Sequence, residues 1–158
     1  MQNRKILMIC LGNICRSPMA EGVLRKKLED NNLDKWVEVD SCGFESCHLG
    51  ESPYYLAVRT ARRHGVSIEN QRQRVFSVKD FDEFDKIYVM DNGNYRNVER
   101  YARTQEDMKK VDYLLNEVYP HSNKIVPDPW GGTEQDFEYA FNLIEKACEA
   151  IVMGMKNE

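Results

Sequence analysis

Residues Cys10-Leu11-Gly12-Asn13-Ile14-Cys15-Arg16-Ser17 place a nucleophile and a cationic clamp at opposite ends of one short loop. The apolar run Ile6-Leu7-Met8-Ile9 precedes them, and Pro18-Met19-Ala20-Glu21 opens an amphipathic stretch after them. Strand, loop and helix in that order aim backbone N–H groups and the positive end of a helix at a single anion. A reactive thiol needs such an electropositive setting, and an arginine offers a planar fork for two oxyanions. This arrangement suits attack of a thiolate on a phosphate ester. Gly12 and Asn13 tolerate left-handed backbone angles, expected where a loop curls around an anion. Ser17-Pro18 reads as a helix start with Pro18 at the first helical position. Taken alone, cysteine, five residues and arginine recur by chance, and most free cysteines are simply buried. The glycine, the asparagine and the helix start are what lift this loop above that background.

Expelling an alkoxide or phenoxide also needs a general acid. Asp128, in Val126-Pro127-Asp128-Pro129-Trp130-Gly131-Gly132, is the candidate. Prolines on both sides stiffen the backbone, and the glycines after Trp130 define a loop. Local sequence by itself favours a plain turn aspartate there, since Asp-Pro often starts a turn.

Strand and helix patterns alternate along the chain. Strands are expected at Lys5–Ile9, Trp36–Asp40, Lys86–Met90 and Val111–Leu115. Helices are expected from Pro18 to about Asp30, from Pro53 to His64 with Gly65 as a left-handed cap, near Asn92–Tyr101, and from Glu134 to Met155. In the last of these, Phe137, Phe141, Ile144, Cys148, Ile151, Val152 and Met155 share one face at helical spacing. Strands separated by helices imply a parallel sheet covered on both faces. The expected fold is α/β: one domain over residues 1–158, a four-stranded parallel sheet with helices on both faces, flavodoxin-like, with the phosphate loop after the first strand. In such sheets ligands bind beyond the C-terminal strand ends, where Cys10 would lie.

At 158 residues the chain is long enough for one domain with a substantial core. Lys+Arg 22 against Asp+Glu 26 gives a net charge of −4, so neither nucleic acid nor an anionic membrane is an expected partner. No run reaches the length of a membrane span, and Gln2-Asn3-Arg4-Lys5 leads into a strand without a secretory apolar segment. Five cysteines without paired spacing point to a reduced, cytoplasmic protein rather than a disulfide framework or a zinc site. His48, His64 and His121 lie far apart in sequence, so neither metal nor cofactor is expected. Cys148 reads as core.

The run CLGNICRSPMAE resembles the signature of the low-molecular-weight protein tyrosine phosphatases. The likeness extends through Val39-Asp40-Ser41, Arg63-His64-Gly65, Val89-Met90-Asp91 and Asp128-Pro129-Trp130. It implies a phosphocysteine intermediate on Cys10, a phosphate held by Arg16 and the loop amides, and Asp128 as general acid and then base. It also implies that Asn13, Ser41 and His64 support the loop and that Ser17 stabilises the Cys10 thiolate. Cys15 resembles the second cysteine with which the family's nucleophile forms a protective disulfide, and Cys47 is a rival partner. Trp130 matches the aromatic that flanks the substrate ring. Gly131 and Cys47 replace two further pocket aromatics, and Phe44 is a candidate substitute for the one at Cys47.

The expected partner is a tyrosine-phosphorylated protein, with the chain a monomer or weak homodimer. A protein arginine phosphatase, whose signature carries threonine at the Ile14 position, ranks second. An arsenate reductase of the same fold ranks third, because Met90-Asp91-Asn92-Gly93-Asn94 lacks its relay cysteines. A phosphate-binding module without turnover is the non-enzyme alternative.

Overall fold

In the computed structural model, which describes residues 2–158 and so leaves Met1 outside, four strands and six helices follow one another. They are β1 (Arg4–Ile9), α1 (Arg16–Asp30), β2 (Val37–Cys42), α2 (Tyr55–Arg63), α3 (Lys79–Glu83), β3 (Lys86–Val89), α4 (Asn92–Tyr101), α5 (Gln105–Lys109), β4 (Val111–Tyr113) and α6 (Glu134–Lys156). All three strand pairings are parallel, in the order β2-β1-β3-β4. From β1 the chain crosses to one side to form β2 and to the other to form β3. The C-terminal end of β1 is therefore the point where the strand order reverses and a crevice opens.

Alternate side chains of β1 enter two cores, as the two-residue period of a strand requires. Ile6 and Met8 join α1, α2 and α6, through residues such as Val23, Leu24, Ala57, Phe141 and Ile144. Leu7 and Ile9 join Phe76, Phe81, Ile87, Val98 and Tyr113 on the other face. The expected last helix holds, and a reciprocal Thr133–Asp136 capping box starts it. Gly65 takes a left-handed φ of 77° directly after the His64 cap of α2.

Several boundaries differ from expectation. β2 begins one residue later and runs on to Cys42. β4 stops at Tyr113, and Leu114–Glu117 form a single 3₁₀ turn. Helices α3 and α5, of five residues each, carry too little periodicity to be read from sequence. Helix α1 starts at Arg16, with Cys15 as its cap residue and Pro18 in its third position. Proline is tolerated there because the first-turn N–H groups have no intrahelical acceptor. Among the described residues, no helix is long and apolar enough to cross a membrane.

Candidate active site

The phosphate loop leaves β1 at Cys10, whose N–H reaches the Cys42 carbonyl at 3.3 Å, and enters α1 at Arg16. Asn13 supplies the bend, with φ 53°. Gly12, the other residue expected to take that conformation, does not. A Cβ there would stand in ordinary contact, 3.4 Å from Ile14 and 3.5 Å from Glu45, so neither space nor backbone angle demands glycine at this position. No side chain caps α1, which leaves its first-turn N–H groups available to an anion.

Ser17 does not cap because its hydroxyl is used inside the loop. Its Oγ lies 3.1 Å from Cys10 Sγ and receives the Asn13 Nδ2–H at 2.8 Å. With Asn13 donating to that oxygen, the serine proton has two acceptors within reach, Cys10 Sγ and the Cys42 carbonyl at 3.3 Å. Asn13 Nδ2 also donates to Ser41 Oγ at 3.0 Å, and Ser41 donates to Glu21 Oε1 at 2.7 Å. Burial pushes the Glu21 carboxyl above its usual range, against the Ser41 hydrogen bond and the Arg25 charge that pull it down. From the other side, Arg74 N donates to Asn13 Oδ1 at 3.0 Å, and its guanidinium is held by Asp40 and Asp80.

His64 stands outside this network and corrects the expectation for it. Its Nε2 bonds Glu138, and its ring stacks on Phe141 at 4.3 Å. It fastens the end of α2 to α6, because the α2 terminus packs on the last helix rather than on the phosphate loop.

Arg16 is 2 % exposed. Its Nη1 donates to Asp91 Oδ2 at 2.7 Å and to the Val126 carbonyl at 2.8 Å, and its Nη2 stands 3.6 Å from Asp128 Oδ2. Burial alone would weaken its charge, but Cys10, Asp91 and Asp128 outweigh burial and raise its pKa. Asp91 serves two elements, since its other oxygen caps α4 by accepting from Asn94 N at 2.8 Å. Val126 N donates to the Met90 carbonyl at 2.8 Å, anchoring the acid-bearing loop to the end of β3. Asp128 does form the turn that local sequence favours, accepting from Trp130 N at 3.1 Å through Oδ1. Its second oxygen faces the arginine, so the turn aims the carboxylate rather than consuming it. Gly131 follows at φ 80°.

One cavity of about 210 Å³ is lined by Cys10, Leu11, Gly12, Ile14, Cys15, Arg16, Cys47, Asp128 and Trp130, together with Glu45 and His48, which sequence reasoning missed. Tyr54 braces Trp130 edge-on at 4.6 Å. Phe44 does not replace the missing pocket aromatic, because it packs on Phe76 and Tyr101 in the opposite core. Burial pushes the Cys15 thiol far up, and the nearby Cys10 and Asp128 add to this. Cys47 is exposed at the rim. No group of three or more potential metal ligands occurs among the described residues.

Two further residues shape the loop without a local sequence signal. A Cβ on Gly43 would meet Asn13 N and Leu11 O at 2.7 Å each, so only glycine lets β2's end lie against the phosphate loop. The buried Gln73 donates from Nε2 to the Gly12 carbonyl at 2.9 Å, holding the loop at that residue.

Comparison with known proteins agrees with this geometry. The family model described as low molecular weight phosphotyrosine protein phosphatase matches residues 5–158. The chain is 34 % identical over 149 residues to the low molecular weight phosphotyrosine protein phosphatase of Gallus gallus, covering 94 % of each chain. Among solved structures it is similar to a protein tyrosine phosphatase from Entamoeba histolytica with Hepes in the active site, at TM-score 0.90 and 30 % identity over 98 % of each chain. It is also similar to an arginine phosphatase of Drosophila, at TM-score 0.86 and 30 % identity, over 97 % of this chain and 98 % of that one.

Proposed function

The chain belongs to the low molecular weight phosphotyrosine protein phosphatase family, and on that premise we propose how its own residues hydrolyse phosphotyrosine. The observation that carries the reading is the convergence of Cys10, Arg16 and Asp128 on one cavity. The phosphoryl oxygens sit among the amides of residues 11–16 and the free edge of the Arg16 guanidinium, which is already held in place by Asp91 and Val126. These donors meet developing charge without reorganising. The Cys10 thiolate, with the Ser17 hydroxyl beside it, attacks phosphorus as the bond to the tyrosine oxygen breaks. Asp128 gives its proton to that oxygen, and the phenol leaves. Asp128, now a carboxylate, takes a proton from water. The water oxygen attacks phosphorus, the P–S bond breaks, and phosphate departs from a regenerated thiolate.

Ile14 favours the aryl ester over a guanidinium phosphate. It lines the cavity with an aliphatic side chain that offers a guanidinium no hydrogen-bond acceptor. Resemblance at 30 % identity to both a tyrosine and an arginine phosphatase does not choose between them, and Ile14 is what supports the first reading. The deciding experiment compares hydrolysis of a phosphotyrosine peptide and of phosphoarginine, and reduction of arsenate with an added thiol reductant, by the wild type and by Cys10→Ser. Phosphotyrosine should be turned over fastest, and only by the wild type. Preference for phosphoarginine or reduction of arsenate would replace the reading.

A further inference from the structure

The segment between β2 and α2 fastens an acid to the rim of the phosphate pocket. Glu45 N donates to the Leu11 carbonyl at 3.2 Å, next to Phe44 N, which donates to the same oxygen at 2.7 Å. The Gln73 side chain that holds the Gly12 carbonyl also donates to the Glu45 carbonyl. The Glu45 backbone is thus pinned to the phosphate loop on both sides of its Cα. Its carboxylate follows, with Oε1 3.5 Å from the position a Gly12 Cβ would take. Among the described residues, no lysine, arginine or histidine nitrogen comes within 4.0 Å of that carboxylate. The neighbouring His48 is taken by Glu51 at 2.9 Å, and Arg16 lies buried beneath, held by Asp91 and Asp128.

An unpaired carboxylate at the mouth of a phosphate pocket repels every phosphomonoester. A substrate that carries a cation beside its phosphotyrosine turns that repulsion into attraction, and one that carries an acid there meets more of it. Specificity is a difference of affinities, and a repulsive element supplies it as effectively as an attractive one. Pinning the backbone reduces the entropy lost when the carboxylate meets its partner. We propose that Glu45 is a specificity-determining residue that selects phosphotyrosine flanked by lysine or arginine. The proposal rests on the phosphatase reading above.

The test compares kcat/KM on matched phosphotyrosine peptides with Lys or Arg against Glu or Asp beside the phosphotyrosine, at low ionic strength. An exposed charge pair is worth a factor of up to about five, and like-charge repulsion a similar amount, so the wild type should favour the basic peptides by roughly tenfold. Glu45→Gln should narrow this to about twofold and speed hydrolysis of 4-nitrophenyl phosphate modestly, while Glu45→Lys should invert the order. Raising salt toward ~1 M should shrink the wild-type preference. Equal rates on both peptide sets by the wild type, or a preference that Glu45→Gln leaves at its wild-type size, would overturn the role of Glu45. Failure of the wild type to hydrolyse any phosphotyrosine peptide or aryl phosphate would instead overturn the phosphatase reading beneath it.

Discussion

Arg16 and Asp128 face each other across the pocket, Nη2 to Oδ2 at 3.6 Å, the arginine buried and the aspartate 42 % exposed. The separation exceeds hydrogen-bond length, so the pair is aligned by charge while the aspartate stays free to meet a leaving oxygen. The arginine is fixed from behind by Asp91 and Val126, and the aspartate by its own turn with Trp130. The proposed nucleophile and clamp, at the two ends of one loop, and the proposed acid, on another, are therefore set before any substrate arrives.

Asp128→Ala should slow turnover by about 10²–10⁴ for substrates with poor leaving groups, the usual worth of a general acid. The loss should shrink steadily as the leaving-group pKa falls. A series of aryl phosphates read by kcat/KM, which reports the step that expels the phenol and not the later hydrolysis of phosphocysteine, measures this, and a loss independent of leaving group would reduce Asp128 to its turn.

Gly43→Ala should damage catalysis from a position that carries no chemistry. Its new methyl would stand 2.7 Å from backbone atoms of Asn13 and Leu11, and a main chain cannot step aside as a side-chain tip can. A cost of about 1–3 kcal/mol is expected for such overpacking, read as a lower midpoint in urea. A weaker inhibition constant for inorganic phosphate should accompany it, because the loop amides would no longer converge. Unchanged phosphate affinity would show that the loop tolerates the shift.

Ile14→Thr should raise activity on phosphoarginine relative to phosphotyrosine, since a hydroxyl at the pocket wall can accept a guanidinium N–H where an aliphatic chain cannot. The ratio of kcat/KM values for the two substrates is the measurement. An unchanged ratio would remove Ile14 as the discriminating residue.

Peroxide should inactivate the enzyme reversibly. Oxidation of the Cys10 thiolate gives a sulfenic acid, which a second thiol displaces to form a disulfide with loss of water. Cys15 lines the same cavity and is the candidate second thiol; burial raises its pKa, which slows rather than helps its attack on the sulfenic acid. Peptide mapping should find Cys10 joined to Cys15, and Cys15→Ser should leave damage that thiols reverse poorly. A Cys10–Cys47 link would make the exposed rim cysteine the partner.

The contiguous part of this protein was legible in its sequence. The loop from Cys10 to Ser17 holds both the nucleophile and the clamp between an apolar run and an amphipathic one, so residue order alone places them at a strand end and a helix start. Helix α6 was equally plain, because 23 residues sample the helical period many times over, whereas the five residues of α3 or α5 barely complete one turn. The tertiary structure decided which distant side chains serve the loop. His64 has the right type for a loop-supporting role, yet packing of α2 against α6 carries it to Glu138. Arg74 supports Asn13 through its main-chain N–H, which no side-chain identity announces. Asp91, Gln73, Gly43 and Glu45 acquire their roles only when the sheet order brings the ends of β2 and β3 alongside the end of β1. Local periodicity and turn chemistry act within a few residues. A carboxylate that orients an arginine 75 positions away is specified by the crossing of chain segments, and that appears only once the two cores have closed around the sheet.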